Sequence, residues 1–270
     1  MRVELHCHSI CSDGELPPLE VGRRAREREV DLFCLTDHDT CAGSADAIGE
    51  LPDAITLRGV EMTCHEGDAP VHLLVYDVEK STKWNLLEEF LVGRAAARRD
   101  RLRHMGAKLL ELGFQVDLDQ VFNGRTVVGR PHLAKELVRI GAVATESQAF
   151  QRLIGDNGPA FVPNEHLSVG EGLKLARDSG GKVSLAHPHS RPDAEELLRK
   201  YKEAGLTAVE AFYGPYKKAK RRSWLRVAED LGLVATGGSD FHSDSVPRGA
   251  RFGVDMPELW AKKLKIWLQL

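Results

Sequence analysis

The 270-residue chain has no apolar run of about eighteen residues or more, so no segment is long enough to suggest a membrane-spanning helix. Its five cysteines include no Cys-x-x-Cys pair, which makes a reduced thiol pool a simpler reading than a disulfide framework or a thiolate metal site. Charge of one sign is not in excess either: 37 Lys and Arg against 40 Asp and Glu give a formal net charge of −3, which argues against broad, sequence-blind duplex binding. Internal repeats and low-complexity tracts are lacking, which excludes solenoid architectures. The chain opens on a charged residue and a strand pattern rather than a signal peptide. A cytoplasmic location is therefore expected, with no membrane association and no obligate protein partner. The length suits one large α/β barrel.

Metal-ligand residue types sit at the ends of apolar runs. Val3-Glu4-Leu5-His6-Cys7-His8 has strand character, and side-chain alternation puts His6 and His8 on one face with Cys7 on the other. Ser12-Asp13-Gly14 follows. Leu32–Leu35 runs into Thr36-Asp37-His38, Leu57-Arg58-Gly59-Val60 ends on Glu61, and Val71-His72-Leu73 carries an imidazole. Val183–Ala186 ends on His187, and Val234–Ser239 leads to Asp240 and His242. Mixed imidazole and carboxylate donors suit borderline divalent first-row metals, whereas thiolates would select soft ions and all-oxygen cages calcium or magnesium. Manganese, iron and zinc all stay open.

The His-x-His, Thr-Asp-His, Gly-x-Glu, Ala-His-Pro and Ser-Asp-x-His elements, in this order, resemble those of the polymerase and histidinol phosphatase (PHP) family of phosphoesterases. The resemblance implies a distorted (β/α)₇ TIM-like barrel whose rim binds two to three divalent ions. Position by position it implies one ion on His6, His8, Glu61 and Asp240, a second on Glu61, His72 and His187, and a third on Asp13, His38 and His242. Glu61 is then the bridging carboxylate, and a hydroxide between the ions is the nucleophile. Asp37 and Asp39 flank His38 and are read as partners that orient an imidazole.

Strands near residues 3–8, 32–37, 56–63, 70–77, 183–186, 208–213 and 234–240 alternate with helical patterns, the rhythm of a parallel barrel. Residues 80–165 break it: Trp84 to Leu112, Pro131 to Gly141 and Gln148 to Ile154 have helical patterns with no buried strand between them. A barrel of 1–79 and 166–270 carrying an inserted helical cap, 80–165, is expected, because a structureless loop of that length is improbable. Two basic runs stand out, Arg94 to Arg103 and Lys217 to Arg222. Such runs are ordinarily solvated helix faces.

Gly129-Arg130-Pro131-His132 resembles the Gly-Arg-x-His segment of PHP proteins that act on nucleotides and short oligonucleotides. The resemblance makes Arg130 a phosphate contact, with Arg191 a second candidate; a guanidinium fork suits a phosphate. Members often carry a lysine before Pro-Ala-Tyr-Val, where this chain has Asn157-Gly158 before Pro159-Ala160-Phe161-Val162. The expected activity is metal-dependent release of phosphate from nucleoside 3′,5′-bisphosphates such as adenosine 3′,5′-bisphosphate (pAp). Alternatives are a 5′–3′ exonuclease on short RNA, a histidinol phosphate phosphatase, and a metal-bound nucleotide-binding module without turnover.

Overall fold

The computed structural model describes residues 1–80, 82–245 and 252–270. Eight strands form one sheet: β1 (Arg2–Glu4), β2 (Leu32–Leu35), β3 (Ile55–Glu66), β4 (Ala69–Asp77), β5 (Gly181–Leu185), β6 (Leu206–Tyr213), β7 (Val234–Gly238) and β8 (Val254–Asp255). Their order is β7-β6-β5-β4-β3-β2-β1-β8. The chain just past β1 meets β7 and its extension: Leu5 N donates to Gly237 O at 3.1 Å, Asp240 N to His6 O at 2.7 Å and His8 N to Phe241 O at 2.8 Å. The sheet is thereby a nearly closed α/β barrel. Glycine makes that approach possible, because a Cβ on Gly238 would stand 2.5 Å from His6 N.

The expected parallel rhythm needs one correction. β4 runs antiparallel to both β3 and β5. The cause is local: Glu66 pairs with Ala69, so Gly67 and Asp68 form a two-residue hairpin loop, with Gly67 at φ 57°. A two-residue loop can join only antiparallel neighbours. Reversal brings the first half of β4 to the rim that receives the C-terminal ends of the parallel strands, and His72 lies in that half.

Helices α1 (Pro18–Glu27) and α2 (Ser44–Gly49) follow β1 and β2. A core of Val21, Phe33, Leu35, Ala47, Phe241 and Phe252 packs beneath them, and Cys7 belongs to it. The strand alternation around His6 and His8 is thus real although β1 itself ends at Glu4. Later come α3 (Trp84–Glu111), α4 (Leu118–Phe122), α5 (Arg130–Arg139), α6 (Glu146–Ala149) with a π-helical turn over Phe150–Ile154, α7 (Val169–Asp178), α8 (Ala194–Tyr201), α9 (Lys218–Leu231) and α10 (Glu258–Trp267).

The chain divides into two compact units, 1–90 with 167–270, and 91–166. The second has its own core, in which Leu102, Met105 and Leu109 of α3 meet Val121 of α4, Leu133 and Leu137 of α5, and Ile154. Among the described residues, no helix is long and apolar enough to cross a membrane.

Candidate metal centre

Nine side chains converge at the rim of the barrel. His6 and His8 leave the chain beyond β1, Asp13 sits on the turn that follows, and His38 lies three residues past β2. Glu61 and His72 project from β3 and β4, His187 follows β5, and Asp240 and His242 follow β7. Glu61 stands at their centre. Its Oε2 lies 3.2 Å from His6 Nε2, 3.1 Å from His8 Nε2 and 3.2 Å from His38 Nδ1. Its Oε1 lies 3.0 Å from both His72 Nδ1 and His187 Nε2, which are 3.2 Å apart. Asp240 Oδ1 stands 3.5 Å from His6 Nε2 and from His8 Nε2. On the other side, Asp13 Oδ2 lies 3.4 Å from His242 Nε2 and 3.7 Å from His38 Nε2, with Asp13 Oδ1 3.6 Å from His8 Nδ1.

These distances and the donor chemistry fit divalent cations. His6 Nε2, both nitrogens of His8 and His38 Nδ1 are buried and have no hydrogen-bond partner. A buried polar atom left in that state costs about 1–3 kcal/mol, which metal coordination would offset. Three groups of donor atoms lie within 4.8 Å of one another: His8, Asp13, His38 and His242; His6, His8 and Glu61; and His38, Glu61 and His72. Exposure grades across them. His6 and His8 are fully buried, whereas the Asp13 side chain is 36% exposed, so the Asp13 side is the open one.

Burial opposes charge at Glu61, Asp13, Asp240, His6, His8 and His38, yet at all but His38 the opposite charges around them win. His38, His6 and His72 hold Glu61 well below the usual carboxylate range, and the neighbouring imidazoles do the same for Asp13 and Asp240. The carboxylates therefore stay ionised and able to ligate. Burial would lower His8, but Asp240 and Glu61 raise it to about 10, and Glu210, Glu61 and Asp240 likewise raise His6. His38 is the exception: burial takes it down to about 4 despite Glu61 and Asp13.

Neighbouring groups fix the donors. Glu210, fully buried on β6, sets its Oε1 2.9 Å from His6 Nδ1 and accepts from His187 N at Oε2, 2.7 Å away. Tyr213 Oη donates to Asp240 Oδ2 at 2.7 Å, and Ser190 Oγ lies 3.1 Å from His187 Nδ1. Holding one ring nitrogen turns the other toward the centre. Asp37 differs from its sequence reading: it accepts from Ser9 N, Ser9 Oγ and Ser12 Oγ at 2.6–2.7 Å and so braces the turn that carries Asp13. Asp39 accepts from Thr63 N at 2.8 Å. Left-handed backbone concentrates at this rim, in Asp39 (φ 50°), His187 (φ 25°) and Asp240 (φ 53°). Strain of this kind persists where the surroundings over-determine a residue.

Sequence reasoning missed the role of Glu210 beside His6 and His187. The signal available was a carboxylate inside the otherwise apolar run Ala208–Phe212, a position where an unpartnered charge would be costly. Of the two arginines singled out, Arg191 spreads its fork over Asp193 (Nε to Oδ1 2.8 Å) and Pro70 O (Nη1, 3.1 Å). Arg130, in the second unit, opens α5, pairs through Nη1 with Asp156 Oδ1 at 2.6 Å and lies 5.6 Å from the centroid of Phe161.

No family model matches the chain. Relatives do. A 3′,5′-nucleoside bisphosphate phosphatase of Chromobacterium violaceum is 30% identical over 251 residues, 90% of this chain and 87% of that one. A 5′–3′ exoribonuclease of Haemophilus influenzae is 29% identical over 252 residues, 89% of this chain and 90% of that one. The solved structure of a protein assigned as a metal-dependent phosphoesterase, from Bifidobacterium adolescentis, superposes with a TM-score of 0.78 at 27% identity, covering 97% of this chain and 94% of that one.

Proposed function

The chain belongs to the PHP family of metal-dependent phosphoesterases, and from that premise we propose that it releases phosphate from small nucleotides, nucleoside 3′,5′-bisphosphates such as pAp foremost. The observation that carries the reading is the sharing of Glu61: its two oxygens face two different sets of imidazoles at 3.0–3.2 Å, the arrangement a bridging carboxylate needs. His6, His8, Glu61 and Asp240 would hold one cation, Glu61, His72 and His187 a second, and Asp13, His38 and His242 a third. Manganese, iron and zinc all suit these donors. Bound there, such ions lower the pKa of water toward neutrality, polarise a phosphoryl oxygen and stabilise the leaving oxygen.

The chain's own residues supply position. Glu210 keeps the His6 and His187 segments in register, Tyr213 holds Asp240, and Asp37 fixes the turn of Asp13. Arg191 and Arg130 are the proposed grips on substrate phosphate, each exchanging a carboxylate, Asp193 or Asp156, for the incoming anion. A second reading, removal of nucleotides from the 5′ end of short RNA, is favoured by the excess of basic over acidic residues in 91–166.

Steady-state phosphate release from pAp, histidinol phosphate and 5′-phosphorylated short RNA decides among the substrates. The expected order of kcat/KM puts pAp first and histidinol phosphate last. A preference for histidinol phosphate would refute the nucleotide reading while leaving the phosphoesterase intact.

A further inference from the structure

Charge is divided unevenly along the chain. Residues 91–166 hold eleven Lys and Arg against eight Asp and Glu, while the remainder holds twenty-six against thirty-two. A net positive compact unit in a net negative chain points to an anionic ligand for that unit.

The unit has a cavity suited to one. Gln120, Val121, Arg125, His132, Lys135, Glu136 and Arg139 line an open pocket of 370 Å³. Its single carboxylate, Glu136, is already engaged: it receives Arg139 through two hydrogen bonds of 2.6 and 2.7 Å and Asp117 N at 3.0 Å. Among the described residues Arg125 has no carboxylate partner; its Nη1 donates to Asn123 O at 3.2 Å and its Nε is buried without a hydrogen-bond partner. Lys135 is exposed and forms no ion pair among the described residues. His132, also on this wall, takes Gly129 N onto Nδ1 at 3.1 Å, which caps α5. Beside the pocket, at the end of α4, the half-buried Phe122 ring carries the guanidinium groups of Arg99 and Arg103 at 5.1 and 5.6 Å from its centroid. Arg99 also donates to Arg125 O, tying the two arginine sites together.

We propose that this pocket of Arg125, His132, Lys135 and Arg139, with the arginine-flanked Phe122 beside it, is a docking surface for the phosphodiester backbone of a short RNA. The inference rests on the nucleotide phosphoesterase reading and extends it to a substrate longer than a mononucleotide. Arg125 and Lys135, with no ion-pair partner among the described residues, suit a backbone phosphate in a concave site, and the guanidinium groups held over Phe122 add positive charge beside it. A mononucleotide has no need of it. Glu136 gives the pocket its shape by fixing Arg139, which leaves Arg125 and Lys135 as the cations to remove in a test.

The experiment measures binding and turnover separately on the full chain with manganese present. Binding of a 5′-phosphorylated hexaribonucleotide is followed by fluorescence anisotropy on Asp240→Asn protein, with and without Arg125→Gln and Lys135→Gln together. Turnover of pAp is measured with the same pair of substitutions in an otherwise unaltered chain. Expected is an approximately tenfold loss of RNA affinity and a log–log salt dependence shallower by about 1.4, two contacts at about 0.7 each for a single strand. Turnover of pAp should stay within about twofold of its starting value, since neither side chain belongs to the metal centre. Absence of RNA binding, an unchanged affinity and salt slope, or an equal loss for RNA and pAp would each overturn the proposal. Failure of the unaltered protein to hydrolyse pAp would instead count against the bisphosphatase reading, and the binding arm would still decide the docking surface.

Discussion

Glu210→Gln isolates a residue that touches no substrate in this account and acts only through its neighbours. The carboxylate satisfies two donors at once, His6 Nδ1 at 2.9 Å and His187 N at 2.7 Å. Glutamine has one oxygen, so one of the two donors must face an NH₂ group, and at full burial bulk solvent does not replace the lost acceptor. An unsatisfied buried donor costs about 1–3 kcal/mol. If His6 turns to relieve it, its Nε2 leaves the position facing Glu61 and Asp240. Loss of such a supporting contact lowers metal affinity by about 10–100-fold, or roughly 1.4–2.8 kcal/mol at 1.4 kcal/mol per decade. Competition against a chelator of known affinity measures the first quantity, and phosphate release at limiting and saturating manganese measures the consequence. Turnover should fall steeply at limiting metal and recover to within a few-fold at saturation. Unchanged metal affinity would refute the reasoning, as would activity that saturating metal cannot restore.

Other consequences are equally direct. Tyr213→Phe removes the donor to Asp240 Oδ2 at 2.7 Å and should weaken metal binding by up to about tenfold without altering the melting temperature by more than a few degrees; an unaltered affinity would show that Tyr213 merely packs. Metal uptake at pH 7 should release at least about one proton per chain, because His8, raised to about 10 against its burial by Asp240 and Glu61, must become neutral to ligate; calorimetry in two buffers of different ionisation enthalpy reads the number, and zero would contradict the charge assignment. Glu136→Gln should destabilise the 91–166 unit by about 1–2 kcal/mol at pH 7. Arg139 lowers the Glu136 pKa, so the difference is present above the ordinary carboxylate value of 4.5 and disappears as pH falls below it; melts at pH 7 and in acid that differed equally would exclude this origin. Gly238→Ala should cost about 1–3 kcal/mol by forcing the barrel seam open at His6 N, and a neutral substitution would show that the seam yields.

The convergence of the nine rim residues was legible because strand geometry converts spacing into direction. His6 and His8, two residues apart, had to share a face, and polar residues ending the runs at Glu61, His187 and Asp240 marked one rim. Glu210 was harder to see because its partners lie 204 and 23 residues away in sequence, so only tertiary structure reveals what neutralises it. The direction of β4 was encoded in Gly67-Asp68, but an alternating apolar run looks the same in either orientation. The two-residue strand β8 has no periodicity to detect, being held by its pairing of Val254 with Val3. Asp37 illustrates the limit of proximity along the chain: adjacent to His38 in sequence, it turns instead to Ser9 and Ser12. In the helical segment, helical spacing located α3 and α5 and already sets Glu136 three residues from Arg139 on one face of α5, whereas the pocket beside Lys135 depends on how α5 packs against α4.

The central claim is that the nine-residue rim is a metal centre that hydrolyses a nucleotide phosphate ester. The most direct test returns manganese stepwise to chelator-stripped protein while phosphate release from pAp is recorded, with Asp240→Ala protein alongside. The account predicts no release from the stripped chain, recovery that levels off at two to three equivalents of metal, and no recovery in the substituted chain. Full activity in the stripped protein, or in the Asp240→Ala protein, would contradict it.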